Sequence, residues 1–285
     1  MIKSMFEELD RKTYETYLEE HSFHLNLGID LVDYKSQFKE TGGGQSENES
    51  KGINRKIHKN IWESVDPKNN VPFAAELDDL VRLHFLVVSR KVTTILEFGI
   101  GKSTVIFDHA LQHNKLKHES YVVNNLRRSN PFECHSIDNS KKWIKQCQSS
   151  FKTENVTYHF SKCRMGSFND RICTFYDAIP NVSPDLIYLD APDQHSVLGD
   201  VAGVSTRHKD KMPMSGDILR MEHFLLPGTL IVIDGRTANA RFLKANLQRN
   251  WTYDYDKNFD QHFFELDEEP LGRHNKKQLE FIRNK

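Results

Sequence analysis

The chain predicts an α/β fold: three layers, with a mostly parallel sheet covered by helices on both faces and a helical extension in front. Three observations predict it. From Val71 onward, short apolar runs alternate with stretches of helical spacing, the pattern of strand–helix–strand units. The runs Thr229–Ile233 (TLIVI) and Asp185–Leu189 (DLIYL) are apolar almost throughout, as strands buried on both faces must be. Finally, Glu97, Asp138, Asp190 and Asp234 each stand at or near the end of such a run. That gathers four carboxylates on the carboxyl rim, where open parallel sheets bind ligands.

Taken in order, residues 1–40 are charged and carry only patchy helical spacing (Phe6, Leu9, Tyr14, Tyr17, Leu18). The stretch 41–52 (TGGGQSENESKG) has nothing to bury and is expected to be a flexible linker, and Ile53–Val65 a short helix broken by Asp66-Pro67. These make up a helical extension over 1–70, followed by a core domain over 71–270 and a basic tail over 271–285. In the core, Leu77, Leu80, Val81, His84 and Val88 set a helix over Ala74–Ser89. The expected strands are Thr93–Phe98, Glu133–Ile137, Val156–Phe160, Asp185–Leu189 and Thr229–Ile233, with a terminal pair near Trp251–Tyr255 and His262–Leu266. Between them come helices over Ser103–Gln112, Ser140–Ser149, Ser215–Leu225 with Ser215 as N-cap, and Asn239–Arg249.

Composition narrows the function classes. With 39 Lys and Arg against 40 Asp and Glu, the net charge of -1 argues against a protein that coats nucleic acid. Cys134, Cys147, Cys163 and Cys173 form no CxxC pair and are expected to be reduced and structural. The first twenty residues lack the apolar centre of a signal peptide, and no apolar run reaches the roughly 20 residues of a membrane helix. A soluble, cytoplasmic protein is the expectation.

The segment Glu97-Phe98-Gly99-Ile100-Gly101-Lys102-Ser103-Thr104 admits two readings. Gly101-Lys102-Ser103 matches the end of a phosphate-binding P-loop. The first glycine of that motif would fall at Leu96, inside the strand, so the loop is too short to wrap phosphates. The other reading is a resemblance: Ile95–Gly101 resembles motif I of the class I S-adenosylmethionine-dependent methyltransferases. The acid closing the second strand, Asp138, the fourth strand ending in Asp190, Pro227-Gly228 before the fifth strand, and the terminal strand pair are similar to that family in the same order, over roughly Val71 to Asp267.

The resemblance implies a Rossmann-like methyltransferase sheet, mostly parallel with an antiparallel C-terminal strand. It implies S-adenosylmethionine as cofactor, held by Glu97, Gly99, Gly101, Lys102, Ser103, Asp138, Asn139 and Asp190, with Asp138 accepting both ribose hydroxyls. The glycines would let backbone approach the cofactor where a side chain would clash. Acceptor chemistry would fall to Asp190, Asp193, His195 and Arg236; a base there would take the acceptor's proton. Metal-dependent members of the family place acids at the ends of the fourth and fifth strands, so a secondary reading puts Mg²⁺ on Asp190 and Asp234. The missing third oxygen ligand and the adjacent Arg236 weigh against it. The expected acceptor is a small molecule, sugar or nucleotide-linked, with an anionic group that Arg236, Arg241 and the loop carrying Arg207, His208, Lys209 and Lys211 would hold. That loop, Gln194–Met214, is long enough to be a lid or binding loop; a solvated charged loop is the plain alternative. Nucleic-acid methylation through Asn-Pro-Pro-Tyr does not fit a strand ending Asp-Ala-Pro-Asp. A non-catalytic interaction module on the same fold stays open, as does a nucleotide-binding protein of P-loop type.

Overall fold

The computed structural model describes residues 2–11, 14–27 and 77–283. The linker expected at 41–52 and the helix expected over Ile53–Val65 lie outside the described residues. Within them the extension supplies α1 (Ile2–Arg11), α2 (Tyr14–His21) and a 3₁₀ turn (Phe23–Leu27), and the core opens with α3 (Leu77–Ser89).

The core continues β1 (Thr94–Phe98), α4 (Lys102–Asn125), β2 (Glu133–Asp138), α5 (Lys141–Ser150), β3 (Val156–Phe160), β4 (Cys163–Phe168), β5 (Arg171–Tyr176) and β6 (Leu186–Leu189). It closes with α6 (Asp217–Met221), β7 (Leu230–Asp234), α7 (Thr237–Asn246), β8 (Trp251–Asp256), β9 (Gln261–Leu266) and α8 (Gly272–Arg283). The main sheet runs β3-β2-β1-β6-β7-β9-β8. Its first five strands are parallel, in a register that sets Ile95 beside Cys134 on one side and Leu186 on the other; β9 is antiparallel to β7 and β8 to β9. This is the doubly wound, Rossmann-like sheet the sequence predicts, with its C-terminal strands antiparallel. From β1 the chain moves to β2 on one side and later fills β6 on the other, so the crevice above β1 and β6 is the switch point.

Strand alternation sends side chains to two buried layers. Ile95, Cys134, Leu186, Tyr188, Leu230, Val232 and Phe263 meet α3, α4 and the N-terminal helices. Leu96, Phe98, Ile137, Ile187, Leu189, Ile231, Ile233 and Phe264 meet the β4–β5 hairpin, α6 and α7. All four cysteines are buried free thiols. No described helix is long and apolar enough to cross a membrane.

The structure departs from expectation in five places. α4 runs on to Asn125, well past Gln112: its second half buries only Asn114 and Val122, so it carries no apolar stripe to read. The β4–β5 hairpin was not expected. Asn169 and Asp170 make its two-residue turn with φ of 47° and 62°, the left-handed pair a type I′ turn requires. The third departure is Ser215, which does not cap a helix: α6 begins at Asp217 behind Gly216, which makes no side-chain cap bond, and the Ser215 hydroxyl donates to Asp217 instead. α7 stops at Asn246 because the next backbone groups, the N–H of Gln248 and Arg249, turn to the buried carboxylate of Glu222 at 2.8 Å. Last, within the stretch expected as a basic tail, Gly272–Arg283 forms a docked helix. Leu279 and Phe281 bury one face of α8, and Gln278 donates to Asp185 (2.5 Å), which also holds the Thr93 N–H at the foot of β1.

Candidate ligand crevice at the carboxyl rim

The loop from β1 into α4 is built around Glu97. Burial is complete, and both carboxyl oxygens are claimed: Ser103 donates at 2.5 Å, Thr104 at 2.7 Å and Ser136 at 2.5 Å. Burial pushes the Glu97 carboxyl up to about 7, against the pull of the three hydroxyls. Glu97 and Ser103 therefore tie β1, β2 and the first turn of α4 together, with both Glu97 oxygens engaged inside the protein.

The two glycines differ. Gly99 has φ +103°, and a Cβ there would stand 2.9 Å from the Asp190 carbonyl oxygen. Only glycine lets β1 end this close to the end of β6, where a Cβ would meet the protein's own backbone. Gly101 is extended, and its Cβ position opens on space, with nothing nearer than the Ser103 hydroxyl at 4.0 Å. Lys102 is the first residue of α4, and burial lowers its pKa. Leu96, where a P-loop would need glycine, is buried inside β1.

Asp138 closes β2 on the same rim. Its carboxylate accepts the Ser140 N–H at 2.7 Å and the Ile100 N–H at 3.3 Å, and burial raises its pKa despite those bonds. Asn139 beside it reaches across the crevice to Ser196, 2.9 Å from the hydroxyl.

On the far side, Arg236 is committed to the end of β6. It donates to the Asp190 carboxylate (2.8 Å), the Asp190 carbonyl (2.8 Å) and the Pro192 carbonyl (3.0 Å). A guanidinium thus holds Asp190 where the secondary reading put Mg²⁺. Asp234 accepts instead from the Tyr188 hydroxyl at 3.2 Å, and among the described residues no three His, Cys, Asp or Glu side chains are arranged as a metal-ligand set. Asp193 and His195 are exposed, joined by a bond from the His195 N–H to the Asp193 carboxylate (2.9 Å).

The Gln194–Met214 loop is anchored along both edges of the hairpin. Leu198 exchanges backbone bonds with Cys163 and Met165 on one side, and Met214 accepts from Thr174 on the other. Arg207, His208, Lys209 and Lys211 point to solvent, as does Arg241 on α7.

A residue not expected from sequence completes the crevice. Tyr176 ends β5, with its backbone N–H held by Asp217 (3.1 Å) and its ring 5.8 Å from that of Phe98. Its hydroxyl is sealed from solvent and has no hydrogen-bond partner in the structure. Asp138 on one flank and Arg236 on the other are among the charges acting on it, while burial holds it protonated. The readable signal was the hairpin: two short runs around Asn169-Asp170 would have placed Tyr176 at a strand end.

No protein-family model matches the chain, and no curated protein does. Among solved structures it is similar to an SAH-bound methyltransferase of Podospora anserina (14% identity, 80% of this chain, 100% of that one, TM-score 0.37). It is also similar to an O-methyltransferase of Bacillus cereus in complex with SAH (11% identity, 75% and 91%, TM-score 0.37). A third is the O-methyltransferase TomG of Streptomyces achromogenes in complex with SAM (14% identity, 79% and 92%, TM-score 0.37). Overlaps that loose carry no argument about chemistry, which rests on the residues described above.

Proposed function

We propose that this chain is an S-adenosylmethionine-dependent methyltransferase acting on a small-molecule acceptor. The observation that carries the reading is the convergence at the switch point of three features: the carboxylate of Asp138, the open space beside Gly101 and the unpartnered hydroxyl of Tyr176. A carboxylate that still has lone pairs after two backbone bonds suits a vicinal diol, which takes both oxygens. A buried hydroxyl without a partner suits a polar ligand group brought to it. The residues present therefore fit the cofactor.

When bound, S-adenosylmethionine supplies an activated methyl group. The chain's own part is placement. Asp138 and Asn139 would hold the ribose, the Gly101 backbone would lie against the amino-acid end, and Tyr176 would donate from below. The acceptor would rest toward Asp190 and Arg236, whose mutual pairing keeps the Asp190 charge neutralised without a metal. Asp193 and His195, exposed at the mouth, are the groups that would take a proton from a hydroxyl acceptor. An anionic acceptor is favoured by Arg207, Lys209 and Lys211 on the adjoining loop.

Calorimetric titration of the whole chain with S-adenosylmethionine, S-adenosylhomocysteine and, separately, Mg-ATP tests the reading. Binding of the first two is expected, and Asp138→Ala should weaken it by about 10- to 100-fold, the scale of a lost charged hydrogen bond. Tight Mg-ATP binding without either sulfur ligand would overturn it.

A further inference from the structure

The N-terminal segment meets the core through a cluster of imidazoles. His21 ends α2, His84 lies midway along α3, and His109 and His113 stand one turn apart on α4. Ring centroids are 4.8 Å apart for His21 and His84, 5.1 Å for His21 and His113, and 5.1 Å for His84 and His109. His84 is fully buried, with Phe23 stacked on it at 4.5 Å. Its Nδ1 pairs with the Tyr17 hydroxyl at 2.8 Å and its Nε2 with His109 Nδ1 at 2.9 Å. Neutral rings satisfy that chain, since each offers one donor and one acceptor. His113 Nε2 is buried and makes no hydrogen bond in the structure.

Among the described residues, few other charged groups face the cluster. Glu20 comes from α2, and Asp108, Lys117 and His118 from α4, with Lys91 acting on His118 from the turn after α3. Asp108 is already engaged by the backbone N–H groups of Glu154 and Asn155. Protonating the rings would set up to four positive charges, with Lys117 a fifth, against two carboxylates among the described residues, around a fully buried His84 and three half-buried rings.

We propose that the His21–His84–His109–His113 cluster is an acid-sensitive clasp, which holds segment 2–27 on α3 and α4 at neutral pH and lets it go in acid. Burial is the first cause lowering each of the four imidazoles, with the neighbouring rings adding to it at His21, His84 and His113, and His21 falls to about 4. A histidine lowered when docked stays neutral there, while the undocked ring takes up a proton near 6.5. Docking is therefore at full strength above about 6.5 and fades as pH falls toward the docked values.

Release would reach the rim. Phe6 of α1 covers one face of the Arg82 guanidinium at 3.8 Å and Phe259 the other at 3.9 Å. Arg82 in turn holds Asp256 (2.7 Å) and Gln261 (2.9 Å), and Gln261 pairs in register with Asp234. Losing α1 uncovers that arginine and loosens the β8–β9 turn beside the crevice.

Hydrogen–deuterium exchange on the full chain, corrected for intrinsic rates, tests this at about pH 7.5 and about pH 5. Peptides within 2–27 should lose protection about tenfold or more at the lower pH, while β6 and β7 keep theirs. His113→Phe removes a charge without removing a hydrogen bond, and should move the release downward by about half a pH unit. Equal protection of 2–27 at both values, simultaneous loss in β6 and β7, or an unmoved midpoint in His113→Phe would each overturn the clasp.

Discussion

Glu97 joins a sequence motif to a stability effect. Its carboxyl titrates near 7 in the folded chain against an ordinary 4.5. A raised carboxyl pKa means the folded state holds the proton more tightly. The stabilisation is fully present below about 4.5 and is lost as pH rises through about 7. Asp217, raised by burial to about 7 at the base of Tyr176, acts with the same sign. Glu97→Gln should therefore flatten part of the fall in urea midpoint between about pH 5 and pH 8. A variant with the parent's slope would show that Glu97 is ionised in the fold. The motif was legible because glycines and an acid after an apolar run are local. That Glu97 faces inward was not, because its hydroxyl partners come from α4 and from β2, and spacing along one element does not reveal a neighbour across the sheet. Tyr176 was hidden for the same reason: its importance lies in having no partner. A Tyr176→Phe variant should weaken S-adenosylhomocysteine binding about 5-fold or more while leaving the thermal midpoint unchanged or higher, since an unpaired buried hydroxyl is removed. Unchanged affinity would take Tyr176 out of the crevice.

At the scale of elements, the turn from β1 into α4 depends on Gly99. Alanine there would have to adopt φ +103° and meet the Asp190 carbonyl at 2.9 Å. Gly99→Ala should destabilise by about 2–4 kcal/mol, from backbone strain plus the clash. Because the clash pushes on the end of β6, it should also reduce ligand affinity; a stable variant with full affinity would separate the loop from the crevice. The parallel strands were each placed within a residue or so, β6 and β7 most readily because both their faces are apolar. Elements whose pattern is diluted were not. The exposed second half of α4 leaves Leu116 and Val123 in solvent, and β4–β5 alternates only weakly because its outer face is polar. The crossover from β3 to β6 uses that hairpin and an extended stretch with Ile179 and Val182 against the sheet, so the helical rhythm expected between parallel strands is interrupted there.

For the molecule as a whole, both ends of the chain brace the sheet. α8 closes the foot: Leu279 packs where a Cβ on Gly228 would come within 2.5 Å, and Asn275 and Gln278 bond to Pro227 and Asp185. Leu279→Ala should cost about 2–5 kcal/mol, read as a lower urea midpoint with an unchanged slope. A loss under about 0.5 kcal/mol would mean α8 is docked only loosely. The sequence showed charges at 271–285 and concealed the docking, since two buried apolar residues in a basic stretch are too few to declare a face. At the other end, the clasp loses strength in acid while Glu97 and Asp217 lose theirs toward alkali, so the two slopes oppose each other across neutrality.

The four buried thiols have a practical consequence. Burial lifts Cys173 to about 11, Cys147 and Cys163 to about 12, and Cys134 well above its usual value. Near pH 8 only roughly one molecule in a thousand or fewer would carry a thiolate at any of them, so alkylating reagents should find the folded chain almost inert. The sulfurs are also dispersed: Cys163 and Cys173 on the hairpin, Cys147 on α5, Cys134 on β2. Each is thus a clock for the opening of its own neighbourhood, and their order of alkylation would rank which parts of the molecule breathe first.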